Sequence, residues 1–393
     1  MHKKVSIHFG YVSEGREFQM DVHSIICRCL LYFFGFFPIK QNKVVFSSYY
    51  GKYYSDNPMY IFEAMTKKNV GLDSVWLLCD EKTKIKNARV VKKGSIKSLY
   101  ELATAKIWID NCRKPLWMRK RKKQYYVQTW HAGIGLKAGE NACADKLSKK
   151  YVESAINDSK MANLFLANSD WVEKIYKTNF WYTGEILKKG IPREDALYKD
   201  SNEVHKKICS IYNEPSDMHF VLYAPTFRNN GSLKSYNMDY EKVIDALKEK
   251  TGYSWKIILR LHPNIKDTDT EIPYSDIVLN GTQYNEINDL ILASDILITD
   301  YSSCMFDGMI ANKAVVIYAS DIDEYKKERG YLFKWEELPF GIATNTDELI
   351  KIINLFKRTN YNKKVEAFKD TLGFVKGGNA SEDVAKYIIE QIL

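Results

Sequence analysis

Two histidines closely follow short apolar runs in the sequence. A residue at the carboxyl end of a parallel strand can present its side chain to a ligand. His131 comes soon after Tyr125–Thr129, and His262 directly follows Ile257–Leu261. Pro263 cannot continue a strand ladder, so the second imidazole is carried into a loop. An imidazole can take a proton from a hydroxyl or donate to a phosphate. A histidine that only bonds a neighbouring backbone group has the same sequence pattern, so both interpretations stay open here.

Two loops add groups that suit a phosphate. Gly133 and Gly135 permit close approach of the backbone to a ligand, and Lys137 follows them. In the second loop Thr226 is followed by Arg228, whose guanidinium offers two parallel donors to phosphate oxygens. Ordinary surface loops carry the same residue types, so only the fold can bring these groups together.

The stretch Ile296–Asp307 carries the strongest signal for anion binding. Its apolar strand, Ile296–Thr299, runs into Asp300, Ser302 and Ser303, and a helix follows. Free backbone N–H groups and the positive end of the helix dipole attract phosphate at such a turn. Simple capping of the helix by one of these side chains is the alternative.

Strands alternate with helices in two successive series, which predicts parallel sheets with crossover helices and an α/β fold. The first series has the strands Val44–Ser48, Ser74–Leu78, Ala88–Val91, Ile107–Ile109 and Tyr125–Thr129, and the helices Pro58–Lys67 and Ile96–Ala105. The second has the strands His219–Tyr223, Trp255–Leu261, Asp276–Leu279, Ile296–Thr299 and Ala314–Tyr318, and the helices Tyr240–Lys250, Glu286–Ala293, Cys304–Ala311, Thr346–Phe356 and Glu382–Leu393.

The two series predict two doubly wound domains that face each other across a cleft at the carboxyl ends of their strands. The polar stretch Gly190–Glu214 separates the series and marks the boundary. We divide the chain into an apolar N-terminal segment (1–40), a first domain (41–200), a second domain (201–375) and a C-terminal helix (376–393).

The composition of the 393 residues is that of a globular protein, with 45% hydrophobic and 27% charged residues. The net charge of +9 favours a polyanionic partner, such as anionic lipid, a phosphate-rich substrate or nucleic acid. No nucleic-acid recognition motif accompanies the basic residues, so we expect no nucleic-acid partner. The seven scattered cysteines show no zinc or disulfide spacing, which indicates a reducing compartment.

Two segments suggest contact with a membrane. The apolar run Ser24–Ile39 is shorter than the about 20 residues that a spanning helix needs, so it predicts a segment lying in the membrane interface. A helix buried against the domain is the alternative. The basic stretch Arg113–Lys123 suits an anionic bilayer or a polyphosphate, with a solvated loop as the alternative. Its candidate contact residues are Arg113, Trp117, Arg119, Lys120, Arg121 and Lys122.

Several common catalytic motifs are missing from the sequence. It contains no Walker loop, no HExxH, no GxSxG and no Cys/His metal cluster. Asp321 and Asp323 resemble a metal-binding pair, but paired acids in a loop are usually solvated. We therefore predict no metal and no cofactor.

Eight segments together resemble the CDP-glycerol glycerophosphotransferase family of teichoic acid synthesis. In chain order they are WHAGIGLK (130–137), NSDW (168–171), GIPRED (190–195), YAPTFR (223–228), LHP (261–263), ITDYSS (298–303), FDG (306–308) and DIDEYKKERG (321–330). The resemblance covers roughly residues 43–375. It departs from the family pattern at Ala132, where a Gly is usual, and at Gly135, where a Pro is common, and both positions bear on the acceptor side.

The resemblance implies a GT-B fold, no metal, and a peripheral position at the cytoplasmic face of the membrane. It places CDP-glycerol in the second domain, with its pyrophosphate over Thr299, Ser302 and Ser303. Further donor contacts would come from Lys137, Thr226, Arg228, His262, Asp300 and Asp307. His131 would act on the acceptor hydroxyl, with His262 as the second catalytic histidine, and CMP would leave. Asp110, like Asp307, would orient a group or bind ribose.

Other functions remain open at this point. A ribitol-phosphate transferase would keep the fold and use CDP-ribitol. A GT-B glycosyltransferase would use a nucleotide sugar and release a nucleoside diphosphate. A non-catalytic polyanion- or membrane-binding protein would need only the basic and apolar segments. The acceptor that the resemblance implies is a lipid-linked glycan or a polyol-phosphate polymer.

Overall fold

The computed structural model describes residues 22–68, 70–137, 139–226, 238–261, 274–322 and 330–392. Four residues singled out in the sequence lie outside these ranges, namely Arg228, His262, Pro263 and Asp323. The described chain folds into two parallel sheets covered by helices, so the predicted α/β class is confirmed.

The first sheet has seven strands in the order β3-β2-β1-β4-β5-β6-β7. They are β1 (Lys40–Ser47), β2 (Asp73–Leu78), β3 (Arg89–Lys92), β4 (Ala105–Asp110), β5 (Tyr125–Gln128), β6 (Leu164–Leu166) and β7 (Glu185–Leu187). The helices of this part are α1 (Val22–Phe34), α2 (Asp56–Lys67), α3 (Ile96–Thr104), α4 (Lys149–Met161) and α5 (Asp170–Asn179). Short 3₁₀ segments occupy Tyr49–Gly51 and Glu140–Lys146.

The second sheet has six strands in the order β10-β9-β8-β11-β12-β13. They are β8 (His219–Ala224), β9 (Trp255–Leu259), β10 (Val278–Asn280), β11 (Ile296–Thr299), β12 (Ala314–Tyr318) and β13 (Gly341–Ala343). The later helices are α6 (Ser201–Tyr212), α7 (Tyr240–Thr251), α8 (Ile287–Ala293), α9 (Cys304–Ile310), α10 (Thr346–Leu355), α11 (Arg358–Thr371) and α12 (Ala380–Ile392). Further 3₁₀ segments are Pro192–Tyr198 and Trp335–Glu337.

Both sheets change the direction of strand order at one point. The order reverses between β1 and β4 in the first sheet, and between β8 and β11 in the second. A crevice opens at such a point because the crossovers on either side leave in opposite directions, and ligands bind at the carboxyl ends of the strands there. The central strands are buried on both faces, which explains their continuous apolar runs.

The polar stretch Gly190–Glu214, in which the sequence analysis placed the domain boundary, contains regular structure. Its first part forms the 3₁₀ segment Pro192–Tyr198, which contacts helices of both domains. Its second part forms α6, which packs on α8 of the second domain. This helix has a narrow apolar face, with only Ile208 and Cys209 buried, so its sequence is mostly polar.

The C-terminal helix returns to the first domain. Val384, Ala385 and Ile388 are buried in the same apolar cluster as Val44 of β1, and the helix packs along α2. Asp195 of the crossing segment accepts hydrogen bonds from the first backbone N–H groups of α12, at 2.9 and 2.7 Å. The two places where the chain passes between domains are therefore tied to each other.

Helix α9 lies unusually close to the second sheet at Gly308. A Cβ atom at this position would meet Leu297 Cδ2 at 2.7 Å and Val315 Cγ2 at 2.8 Å. Both neighbours are buried, so we expect Gly308→Ala to lower the free energy of unfolding by about 1–3 kcal/mol through overpacking.

Thermal denaturation of the variant checks this expectation. Gly135→Ala is the matched control, because a Cβ at Gly135 meets nothing within 4 Å. Equal melting temperatures for the two variants would contradict the close approach of α9 to the sheet.

Candidate active site

His131 lies at the ligand-binding edge of the first sheet. Its Nδ1 atom is 3.3 Å from the carbonyl oxygen of Asn111, which follows the last residue of β4. The side chain of Asn111 in turn accepts a hydrogen bond from the backbone N–H of Tyr49, just beyond β1, at 2.8 Å. The imidazole remains exposed to solvent. The predicted position of His131 beside the crevice is therefore present in the structure.

The imidazole rests on an aromatic support. The ring of Trp130 stacks on His131 with 4.6 Å between the ring centroids, and Phe180 meets the indole edge-on at 5.0 Å. Trp130 has a φ of 53°, a left-handed conformation that costs a residue with a Cβ about 1 kcal/mol or more. Because the chain turns sharply at Trp130, the next side chain is directed out of the sheet edge.

Arg113 belongs to this support and not to a membrane surface, which corrects the sequence prediction. It is buried, and its guanidinium lies 5.2 Å from the centroid of Trp130. It pairs with Glu140 and with Asp158, the latter at 3.0 Å. A buried guanidinium needs such partners because desolvation of its charge is costly.

The surroundings of His131 favour its neutral form. Although solvent reaches His131, the protein atoms packed around its ring partly desolvate the charged form and lower the pKa of the imidazole below its ordinary value. The carboxylate of Asp56 and the carbonyl of Asn111 act in the opposite direction, and the cation of Arg193 adds to the lowering. A neutral imidazole at physiological pH can accept a proton, which is the property that a general base needs.

The edge of the second sheet is shaped by Asp300, directly after β11. Its carboxylate accepts hydrogen bonds from the backbone N–H groups of Thr226 at 2.8 Å and Tyr301 at 2.6 Å. This joins the ends of β8 and β11 at the point where the strand order reverses. The hydroxyl of Thr299 is also buried and donates to the carbonyl of Ala224 at 2.7 Å.

Thr299 and Asp300 therefore build the floor of the crevice, where the sequence had predicted that they contact a ligand. Ser302 and Ser303, by contrast, are partly exposed at the start of α9. The Ser302 hydroxyl accepts a hydrogen bond from the N–H of Cys304 at 3.3 Å, and Ser303 makes no capping bond through its side chain. Among the described residues that directly follow β8 and β11, the hydroxyl oxygen of Thr226 is buried, whereas these two serines are reached by solvent.

Asp307 and Lys137 have positions that the sequence did not predict. Asp307 is buried, and its two oxygens accept from Arg193 at 2.9 and 3.0 Å, so it is not a ribose contact. Lys137 forms an antiparallel bridge with Tyr331, and the N–H of Leu332 donates to Leu136. The loop that begins at His131 thus reaches the second domain.

A buried polar cluster between the two domains was missed in the sequence. It centres on Arg193 and includes Asp56, Asn57 and Asn288. Glu194, next in the chain, is also buried, accepts from the amide of Asn168 at 2.9 and 3.0 Å, and has a pKa raised to about 8 by burial. The GIPRED and NSDW segments contain three of these residues, but no residue spacing identified them as partners.

The basic stretch lies beside the end of α1. The guanidinium of Arg121 donates to the carbonyl of Phe37 at 2.8 Å, and Lys120 donates to the carbonyl of Gln124. Burial lowers the pKa of Arg119, and the nearby cation of Arg28 in α1 lowers it further. Trp117 packs partly against the core, and Lys122 is exposed.

Helix α1 exposes much of its apolar surface. Phe33 and Tyr32 of α1 are 57% and 76% exposed, and Phe36 in the turn directly after the helix is 76% exposed. Among the helices that the structure describes, none has both the length and the apolar character needed to cross a bilayer. The described residues also contain no group of three His, Cys, Asp or Glu side chains arranged to hold a metal ion.

The two facing doubly wound domains, with polar groups at the carboxyl edges of both sheets, define a GT-B-like transferase. The chain belongs to the family described as CDP-Glycerol:Poly(glycerophosphate) glycerophosphotransferase, whose model matches residues 30–390. Relatives of this family are teichoic acid polymerases and transferases of glycerol phosphate or ribitol phosphate. The resemblance found in the sequence is confirmed.

Individual relatives agree with this assignment. A teichoic acid poly(glycerol phosphate) polymerase of Bacillus spizizenii is 28% identical over 96% of this chain and 98% of its own length. A polymerase of the same name from Staphylococcus epidermidis is 32% identical over 90% of this chain. The present chain spans about half (51%) of the length of that relative. A poly(ribitol-phosphate) polymerase of Bacillus spizizenii is 28% identical over 91% of this chain and 57% of its own length.

Solved structures show the same likeness. The wall teichoic acid polymerase TagF superposes with a TM-score of 0.81 at 29% identity, covering 94% of this chain and 96% of that one. The predicted GT-B architecture is thereby confirmed.

We expect Asp300→Ala to weaken donor binding. Two backbone N–H groups lose their acceptor, and each unsatisfied group costs about 1–3 kcal/mol. The crevice between β8 and β11 should lose its shape, and KM for the nucleotide-activated donor should rise by about tenfold or more.

Steady-state kinetics checks this, with Asp239→Ala as the control. Asp239 also accepts from a backbone N–H, that of Lys242 at the start of α7, at 3.1 Å. The control should lose about 1 kcal/mol of stability without a change in KM. A normal KM in Asp300→Ala would contradict the role given to this carboxylate.

Proposed function

We propose that the chain transfers glycerol phosphate from CDP-glycerol to a hydroxyl of a lipid-linked teichoic acid or capsular glycan, releasing CMP. The observation that carries the proposal is His131, an accessible imidazole whose surroundings favour the neutral form, at the carboxyl edge of the first sheet. Membership of the glycerophosphotransferase family supports the choice of donor.

The chemistry needs one proton transfer and one substitution at phosphorus. His131 takes the proton of the acceptor hydroxyl, and the oxygen attacks the phosphorus that carries glycerol. The bond between that phosphorus and the oxygen of CMP breaks, so CMP leaves with the electron pair. Catalysis of this kind depends on positioning and on neutralising phosphate charge more than on covalent chemistry.

The donor's phosphates would lie at the crevice between β8 and β11. Among the described residues, the partly exposed Ser302 and Ser303 would offer their hydroxyl groups to these phosphates, beside Thr226. In our proposal Arg228 and His262, which lie outside the described residues, complete the set. The order of the sequence supports this, because Arg228 follows β8 closely and His262 follows β9.

Transfer of ribitol phosphate from CDP-ribitol is the second candidate. The likeness to a poly(ribitol-phosphate) polymerase over 91% of this chain favours it. The fold and the proposed base would be the same for both donors, since the attacked phosphorus is the same and only the polyol beyond it differs.

We further propose that the protein acts at the cytoplasmic face of the membrane as a peripheral enzyme. The exposed aromatic side chains of α1 would enter the interface, and the neighbouring Arg28, Arg119 and Lys122 would face anionic headgroups. A lipid-linked acceptor would then be within reach of the first domain, whose α3 packs on α1.

The first test of the proposed function is the substitution of His131, the proposed base, by alanine. We expect His131→Ala to lower kcat for CMP release by about 100- to 10,000-fold, because general base catalysis is lost. His219→Ala is the matched control. His219 is the first residue of β8, where its ring stacks on that of Tyr253, so it lies at the amino end of the strand and away from the crevice. The control should retain wild-type activity.

The same assay separates the donors. CMP release and product mass are measured with CDP-glycerol and CDP-ribitol over a panel of lipid-linked acceptors.

Because the pKa of His131 is lowered, the wild-type rate should stay on its plateau below pH 6.5 and fall only as His131 becomes protonated. Full activity of His131→Ala, or release of a nucleoside diphosphate from a nucleotide sugar, would refute the proposal.

The membrane proposal has its own test. We expect the double variant Phe33→Ser, Phe36→Ser to bind phosphatidylglycerol vesicles at least about tenfold more weakly, since each buried aromatic ring contributes about 1.5–3 kcal/mol. Leu355→Ser is the control, because Leu355 is 69% exposed on α10 of the second domain. Vesicle sedimentation measures both, and equal binding of variant and control would exclude α1 as the contact.

A further inference from the structure

A series of hydrogen bonds links the backbone directly before His131 to the donor-side helix α9 across the domain interface. The link begins at Trp130, whose carbonyl accepts from the side-chain amide of Asn57 at 3.0 Å. The carbonyl of Thr129 accepts from the same amide at 3.4 Å. Asn57 therefore holds the backbone on the residue directly before the imidazole, where φ is positive.

The link continues through Arg193 in the segment between the domains. The backbone N–H of Arg193 donates to the side-chain oxygen of Asn57 at 2.8 Å. Its guanidinium donates to both oxygens of Asp307 in the middle of α9, at 2.9 and 3.0 Å. Asn288 at the start of α8 accepts from the guanidinium at 3.2 Å and donates to the carbonyl of Arg193 at 2.9 Å.

The cluster is enclosed, so its geometry is specific. Asn57 is fully buried, and Arg193, Asp307 and Asn288 are each less than a tenth exposed. A buried guanidinium held by a bidentate carboxylate has a narrow range of positions, because moving it leaves a charge or a donor unpaired. The backbone before His131 and the helix that begins beside Ser303 are thus fixed relative to each other.

The same cation also belongs to the charge environment of the imidazole. Nε of Arg193 lies 3.5 Å from a carboxylate oxygen of Asp56, and that carboxylate accepts from the hydroxyl of Tyr49 at 2.6 Å. The ring of Tyr49 lies 6.2 Å from the imidazole between centroids. The charged and titratable groups acting on His131 are Asp56 and Arg193, Glu140 from its 3₁₀ segment, and Tyr49.

We propose that Arg193 and Asn57 are positioning residues that hold His131 in register with the donor-binding edge of the second domain. The inference rests on the proposed function, in which His131 acts on the acceptor hydroxyl. In this proposal neither Asn57 nor Arg193 touches the substrate. Asn57 fixes the backbone that carries the imidazole, and Arg193 connects that backbone to α9. An imidazole displaced by about 1 Å would lose about 100-fold in rate, because the attacking oxygen would no longer be aligned.

Two kinds of variant test the proposal by different readouts. Asn57→Ala removes the link without changing a charge, so kcat should fall by about 100-fold while KM for CDP-glycerol stays within about twofold. Arg193→Gln and Asp56→Asn remove opposite charges near the imidazole. The acidic limb of the pH–rate profile should move to higher pH in Arg193→Gln and to lower pH in Asp56→Asn, each by about half a unit.

A buried ion pair elsewhere in the first domain supplies the control. Lys43 pairs with Glu101 at 2.5 Å and donates to Thr104 at 2.9 Å, near the amino end of the sheet. Lys43→Met should lower the melting temperature, as the other variants do, and leave both kcat and the acidic limb unchanged. General loss of stability cannot move the limb in opposite directions in two variants.

The outcomes separate this inference from the proposed function. If His131→Ala is inactive but Asn57→Ala has normal kcat, or the two charge variants shift the limb in the same direction or not at all, the positioning role is wrong. If His131→Ala is fully active, the proposed function itself fails. Should Arg193→Gln not fold, Asn57→Ala and Asp56→Asn, which remove less of the cluster, still decide the question.

Discussion

The burial of one guanidinium between two domains constrains the rest of this structure. Arg193 leaves water, and it is stabilised there because Asp307 comes from the second domain and Asp56 from the first. Such a charge cannot be half-paired without a large free-energy cost. The crossing segment, helix α9 and the start of α2 must therefore keep one relative arrangement, and the crevice edges of the two sheets are held in place with them.

The elements around this cluster were largely predictable from sequence. The strands Ile296–Thr299 and Ala314–Tyr318 have the predicted bounds, since a buried parallel strand is a short apolar run with polar ends. The strands β7 and β13 were missed because they lie at the edges of their sheets and are only partly buried, so neither is a clear apolar run. Helix α6 was missed because most of its surface faces solvent.

The candidate site was predictable in part. The position of His131 after a strand identified it, because the carboxyl ends of parallel strands share one edge. The roles of Thr299, Asp300 and Asp307 were not predictable, since a sequence does not show which of several adjacent polar groups turns inward. Arg113 was taken for a surface residue for the same reason: in a run of cations, the buried member is identified only by its carboxylate partners.

The return of α12 to the first sheet has a consequence for how the molecule is assembled. Both described ends of the chain lie on one domain, so the other is in effect an insertion within it, entered after Gly190 and left near Leu372, whose carbonyl already accepts from the N–H of Trp171 in the first domain. A fragment that stopped after β7 would lack Val384 and Ile388 and would expose apolar core around Val44. The core of the first domain is therefore completed only after the chain has passed through the second domain and returned.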